Sequence, residues 1–480
     1  MDKARFRLPS LDIGWATNIS PLLLEQNRGN SDLLQNIDVS TPGVPRKRPG
    51  VVEVLGATTN PIIHAKEYTN LETDETYIVV FDGDDWFTWD AGPPAVWNSF
   101  LTVVATATEA DSLVFANRLA LVDGTNASAL FDGAAVDTPA QFPVARYLAE
   151  YRNRIVASGD PDEPSLLYLC HTGDPTIWNP DQIGSNATRM YVSPDDGEGI
   201  TGHLNMGTGG VLIGKPSALY GLFGYARANM AVDLLDSTVG SLSHKAMQYI
   251  MPYAYFVSKQ GIYRYTGSGG DAPERISAPI QDYFDANTDM DEIRNAVATV
   301  VGRYYLITLP QSGGGYYTLA YHTETSRWIL WTAPLLGAYL YTDSDPDGRV
   351  YYSEPGEDQL YRISPGVLND KGPTPINALI ETRELDGGLA EVTKDFHDLY
   401  LICSGAPADY TVTVYMQADN GAWLTVGAAT VNTPVRMQSV HRIVLARTAR
   451  FLKFRFQNST ISQQFSPIGL TMTYTPKDVL

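Results

Sequence analysis

The segment Asp343-Ser344-Asp345-Pro346-Asp347-Gly348, with Glu354 at the twelfth position, carries the oxygen spacing of a calcium loop. Side-chain oxygens of Asp343, Asp345 and Asp347 would face one ion, and Glu354 would close the cage. A calcium loop of this kind needs flanking helices, yet Leu340-Tyr341 and Val350–Tyr352 read as strands. If the second strand runs on through Ser353, Glu354 points away from the ion. The competing reading is an Asp/Gly-rich turn between strands, and no metal or cofactor is expected. Ser193-Pro194-Asp195-Asp196-Gly197 begins like the Asp box of a glycosidase propeller, but Ile200 stands where that motif needs tryptophan. Asp195 and Asp196 are a candidate carboxylate pair for sugar hydrolysis. In a chain this acidic, solvated turn residues are the simpler reading. The seven histidines (64, 171, 203, 244, 322, 397, 441) are dispersed, with no HExxH, GxSxG, P-loop or GxGxxG. Nothing in the pattern supports nucleophilic catalysis, and the expectation is a protein that is not an enzyme.

Composition bounds the rest. The 480 residues carry 34 Lys/Arg against 54 Asp/Glu, a net charge of −20. A general nucleic-acid binder carries a basic face, so this balance argues against one, though not against a surface that DNA slides past. Cys170 and Cys403 lie far apart with no CxxC, which disfavours a disulfide framework or zinc site and fits a reduced folding compartment. The start MDKARFRLPS lacks the apolar core of a signal peptide. No run approaches the roughly 18 apolar residues of a membrane helix.

Any such groups must be positioned by strands. Tyr253–Val257, a turn at Ser258-Lys259-Gln260-Gly261, and Ile262–Tyr265 form one β-hairpin, with Gly261 free to take positive φ. Six further segments repeat the form: Thr76–Phe81 with Trp86–Trp89, Leu119–Val122 with Ala127–Phe131, Ile155–Ser158 with Leu166–Cys170, Val211–Ile213 with Ala218–Leu222, Tyr304–Leu309 with Tyr316–Tyr321, and Val350–Ser353 with Gln359–Ile363. Their spacing averages roughly the 40–50 residues of a propeller blade. An isolated hairpin is marginal in water, and radial repetition protects its edges. The expected fold is all-β: a β-propeller of six or seven blades over residues 51–369, a stack of sandwiches being the alternative. Ser277–Phe284 starts a short helix, with Ser277 as cap, and Asp291–Val297 gives a further short turn, together a crossover between blades. Beyond a linker at Asn369–Pro373, Tyr410–Met416 and Phe451–Phe456 alternate cleanly, and Ala418–Gly421 makes a hairpin turn. Residues 370–480 are expected to form a C-terminal β-sandwich. Residues 1–50 read as an extended arm, because Pro42, Gly43, Pro45, Pro49 and Gly50 flank the basic run Arg46-Lys47-Arg48. That run is expected to meet an acidic neighbour; otherwise it belongs to a lead-in strand and is merely solvated.

The order of these features resembles the tail hub, or nozzle, proteins of short-tailed bacteriophages, the packaged-DNA stabilisation family. The segments that carry the resemblance are GVPRKRPG (Gly43–Gly50), GGVLIGKPSALYGLFG (Gly209–Gly224), VGSLSHKAMQYIMPYAYFVSKQGIYRYTG (Val239–Gly267), ISAPIQDYF (Ile276–Phe284) and VHRIVLARTARFLKFRFQNSTISQQFSPIGLTMTY (Val440–Tyr474). The Asp343–Gly348 loop is not part of the family pattern. The resemblance implies a structural virion protein, made in the host cytoplasm and placed in the tail. It implies a homo-oligomeric, hexameric ring below the portal and the adaptor (head-to-tail connector), closed by a needle or plug and neighboured by tail fibres or tailspikes. Double-stranded DNA would pass through the channel without sequence-specific binding. Two other readings fit a propeller on a virion: a depolymerase or glycosidase, and a receptor-binding module with exposed aromatics such as Trp86-Phe87-Thr88-Trp89.

Overall fold

In the computed structural model, residues 3–11, 14–17, 31–53, 56–90, 96–267, 271–332, 336–341, 350–354, 356–405, 408–432 and 438–477 are described. Seven antiparallel sheets follow one another along the chain, each beginning with an inner strand: His64–Asn70, Asp111–Phe115, Tyr147–Glu150, Gly202–Asn205, Gln248–Ile250, Val297–Val301 and Leu336–Tyr341. Each inner strand lies beside the next, and the last packs against the first, so the ring closes as a seven-bladed β-propeller. Every hairpin expected from the sequence is the pair of middle strands of one blade. These strands are apolar on both faces. Tyr304–Pro310, Leu166–Leu169, Val211–Gly214 and Val350–Ser353 are buried at every position, because each lies between two neighbouring blades.

The seventh blade is composite. Its outer strand, Gly50–Glu53, comes from before the first blade and pairs antiparallel with Tyr361–Ser364, Val51 opposite Ile363. Gly50 is obligatory there, since a Cβ would sit 2.2 Å from the Asn369 carbonyl.

A β-sandwich packs on the propeller. One sheet runs Ala4–Leu8, Pro467–Pro476, Lys394–Ser404, Gln438–Ala449. The other continues blade six: beyond Arg327–Trp331 come Leu33–Gln35, Ala378–Glu381, Leu452–Asn458, Tyr410–Ala418 and Leu424–Val431, a nine-stranded sheet in all. Sandwich strands alternate, with Leu452, Phe454 and Phe456 buried and the residues between them half-buried, as one core face and one outer face require. The Ala418–Gly421 turn joins Tyr410–Ala418 to Leu424–Val431, with Asp419 and Asn420 both at positive φ.

The expected free arm is therefore corrected. Its strands enter both sheets of the sandwich and close the propeller. Arg46 is exposed, but Lys47 and Arg48 are 3% and 1% exposed and bind within the chain. Lys47 Nζ donates to Asn458 Oδ1 at 2.7 Å and to the Thr460 carbonyl at 3.2 Å. The Arg48 guanidinium makes a bidentate pair with Asp370 at 3.0 and 2.6 Å, donates from Nε to Asn36 Oδ1 at 2.9 Å, and faces the Trp331 ring. Asn36 in turn accepts from the Thr332 N–H and donates to the Asn377 carbonyl. One buried asparagine thus joins blade six, the sandwich and the closing strand.

The crossover helix is present as a 3₁₀ turn, Ala278–Ile280, running into Gln281–Asn287, and Ile293–Asn295 forms the second turn. Ser277 makes no side-chain cap. Its hydroxyl accepts from the Ile262 N–H at 3.1 Å and meets Gln281 Oε1 at 2.8 Å, which ties the helix to blade five.

Candidate functional site

Asp343, Asp345 and Asp347 lie outside the described residues. Glu354, the closing carboxylate of that reading, is engaged elsewhere, 2.8 Å from Lys371 Nζ. Burial pushes its carboxyl above the ordinary range despite that partner. Asp195 and Asp196 do not form a catalytic pair. Asp195 is exposed, whereas both oxygens of Asp196 bind the buried Lys215 Nζ at 2.8 and 2.9 Å, pinning the loop between blades three and four. Trp86 and Phe87 are buried, and Trp89 stacks edge-on against Trp97, so this segment is core and not an exposed binding patch. Among the described residues no cluster of three or more His, Cys, Asp or Glu could hold a metal. Cys170 and Cys403 are buried free thiols, each pushed up to about 12 by burial.

Chemistry-bearing side chains gather instead where the inner strands begin, at one mouth of the propeller axis. A cavity of about 700 Å³ opens there. Five successive blades bring one group each: His64 at the first position of inner strand one, Asp111 at that of strand two, Tyr147 at that of strand three, His203 in strand four, and His244-Lys245 just before strand five. His244 Nε2 lies 3.0 Å from Asp111 Oδ2, and its Nδ1 accepts the His203 N–H at 3.3 Å. An accepting Nδ1 places the ring proton on Nε2, donated to the carboxylate. Both nitrogens are then used, and His244 serves as a clip between blades two, four and five, not as a base.

Asp111 is held by its surroundings. Burial raises its carboxyl, but His244 beside it and the Leu148 N–H, at 2.7 Å, outweigh that and hold it well below the usual carboxylate range. His64 and His203 are forced the other way. Burial, reinforced at His64 by the charge of Lys245, lowers each to about 3, so both rings are neutral. His64 Nε2 bonds Ser112 Oγ at 2.8 Å and His203 Nδ1 bonds Ser158 Oγ at 2.9 Å. Burial likewise lowers Lys245, against the pull of Asp111 and Glu109; its Nζ reaches only the Ile63 carbonyl, at 3.4 Å.

The mouth was invisible to motif reading, because each member stands alone in its own repeat. Aligning the repeats on their middle strands would have found it, since the polar residues fall at or just before each inner strand. Glu109, Asp111, Arg146, Lys245 and Arg294 were missed for that reason.

No known family pattern matches the sequence, and no curated protein does. Among solved structures, the N-terminal domain of Nup159 aligns over 69% of this chain and 98% of its own, at 10% identity and a TM-score of 0.40. A puromycin hydrolase S511A mutant complexed with PGG aligns over 73% of this chain and 56% of its own, at 12% identity and a TM-score of 0.34.

Proposed function

We propose that this chain is a non-catalytic structural protein of a bacteriophage tail, a nozzle or hub subunit. It would assemble as a ring below the portal and adaptor, stabilise packaged DNA and form the ejection channel. The observation that carries the reading is the weld between the two lobes. A nine-stranded sheet running from blade six into the sandwich, with the N-terminal strands stitched into both, suits a part that bears load. The collinear segments from Gly43 to Tyr474 support the same assignment, and a clip that leaves no free histidine nitrogen at His244 suits a role without catalysis. Charge layout agrees with it. Residues 51–369 hold 17 Lys/Arg and 39 Asp/Glu, a net of 17 − 39 = −22, so the flanking segments together contribute +2. Carboxylates repel a phosphate backbone, and a protein with few free cations releases few counterions, so DNA would pass without sticking.

The test is the mass of the purified protein in solution, together with electron microscopy of virion tails labelled at the C-terminus of this chain. A ring of six 52.6 kDa subunits, with the label below the portal, is the expected result. A monomer at all concentrations, absent from tails, would end the proposal. A gel-shift titration adds an independent check: tight, salt-sensitive duplex binding by the ring would contradict the non-sticking channel.

A further inference from the structure

The cavity at the mouth has a charge that its surroundings do not share. Arg146 precedes inner strand three, Lys245 precedes strand five and Arg294 precedes strand six, and all three line the same space. Among the described residues none of the three has an ion-pair partner; Lys245 has only its long contact to the Ile63 carbonyl. Two carboxylates share the lining, but they are not equivalent. Asp160 is committed locally, its Oδ2 accepting from Tyr168 Oη at 2.6 Å and its Oδ1 from the Asp162 N–H at 3.0 Å. Glu109 is left as the single uncommitted acid. The lining therefore carries three cations without an ion-pair partner and two carboxylates, a net of 3 − 2 = +1, inside a propeller whose net charge is 17 − 39 = −22.

We propose that the mouth of the propeller axis is a binding site for a small multivalent oxyanion, a phosphate- or carboxylate-bearing molecule held between Lys245, Arg146 and Arg294. Its volume lies within the range of small-molecule sites, and its walls are mostly apolar with a few convergent polar groups, as such sites require. Arg146 and Arg294 offer planar forks for bidentate contact, and Lys245 a point charge from below. Glu109 and Asn295 are placed to select ligands that also carry a hydroxyl or amine. The Asp111–His244 clip fixes the backbone that carries Lys245, and His244 itself lines the cavity. This site does not depend on the tail assignment, because it belongs to a single propeller.

The experiment is calorimetric titration of the full chain with inorganic pyrophosphate and with citrate, at ionic strength matched with sodium chloride. Saturable 1:1 binding of either anion is expected, and the preferred probe identifies the phosphate or the carboxylate class. Arg294→Gln, at an exposed position where folding is not at risk, should weaken binding about tenfold, the loss of one charge-assisted contact. Lys245→Gln should weaken it at least as much, and Glu109→Gln should tighten it. Arg303→Gln, on an exposed ion pair with Glu324 away from the cavity, should leave it unchanged. Absence of saturable heat with both anions, or equal weakening by Arg303→Gln and Arg294→Gln, would overturn the site.

Discussion

The weld and the mouth both gather cations, and they treat them in opposite ways. At the weld each cation is engaged: Arg48 on Asp370, Asn36 and the Pro49 carbonyl, and Lys47 on Asn458 and Thr460. At the mouth Lys245 is half-buried with one long contact, and Arg146 and Arg294 have no carboxylate partner among the described residues. A buried charge that is fully paired fixes geometry, whereas the exposed Arg146 and Arg294 and the half-buried Lys245 stay open to a ligand. The same chain therefore uses Lys and Arg as fasteners in one region and as a receptor surface in another.

The largest effect should come from the fasteners. Arg48→Ala leaves the Asp370 carboxylate without its bidentate partner and removes one of the donors to Asn36 Oδ1, and should cost about 3–5 kcal/mol. Chemical denaturation followed by tryptophan fluorescence measures it, and a loss below about 1 kcal/mol would mean that the weld does not hold the lobes together. Arg48→Met combined with Asp370→Leu should recover much of the loss, since an apolar pair leaves no orphan charge.

The mouth should answer to acid pH, whereas at the weld Lys47, lowered to about 8 by burial, titrates on the alkaline side. The folded values of His64 and His203 are depressed from the ordinary 6.5 to about 3. Below pH 6.5 the unfolded chain therefore binds protons that the folded chain refuses, and stability falls as pH falls toward 3. Each ring should contribute about 2 kcal/mol of that loss between pH 6.5 and 5. Asp111 adds nothing in this window, because its depressed carboxyl loses stabilisation only below the ordinary carboxylate range. His203→Asn retains an acceptor toward Ser158 and should flatten the profile by about half of the two-ring effect. An unchanged slope in that variant would remove His203 from the account.

The smallest effect should be at the surface. Arg303 and Glu324 are both more than half exposed, and Arg303→Ala should change stability by less than about 0.5 kcal/mol.

The contrast also explains what the sequence could reveal. The seven pairs of middle strands were readable because each is a local unit, an apolar run, a Gly- or Asp-bearing turn and a second run. Much of the propeller's acidity is the chemistry of such turns. Oδ1 of Asp82, Asp123, Asp132 and Asp236 each accepts two backbone N–H groups two and three residues on. The weld was misread because its physics is not local. Proline and glycine around Arg46-Lys47-Arg48 look like a segment held off the core, and the groups that bury Lys47 and Arg48 stand at Asn458 and Asp370. The mouth was unreadable for a related reason: one polar residue at the head of a strand, such as His64 or Asp111, carries no signal until other blades stand beside it.

The closing strand of the seventh blade sets an order of events during synthesis. Gly50–Glu53 emerges from the ribosome before any blade, yet its partner Tyr361–Ser364 is made some 300 residues later. At about 5–20 residues per second that is a wait of roughly 15–60 s. Ala4–Leu8 waits longer still, for Pro467–Pro476 near the end of the chain. Throughout that interval six blades can form while the ring stays open, with the edges of blades one and seven and the N-terminal strands all unsatisfied. A nascent chain in this state presents open strand edges to its neighbours, and those edges close only once Tyr361–Ser364 and Pro467–Pro476 have been made.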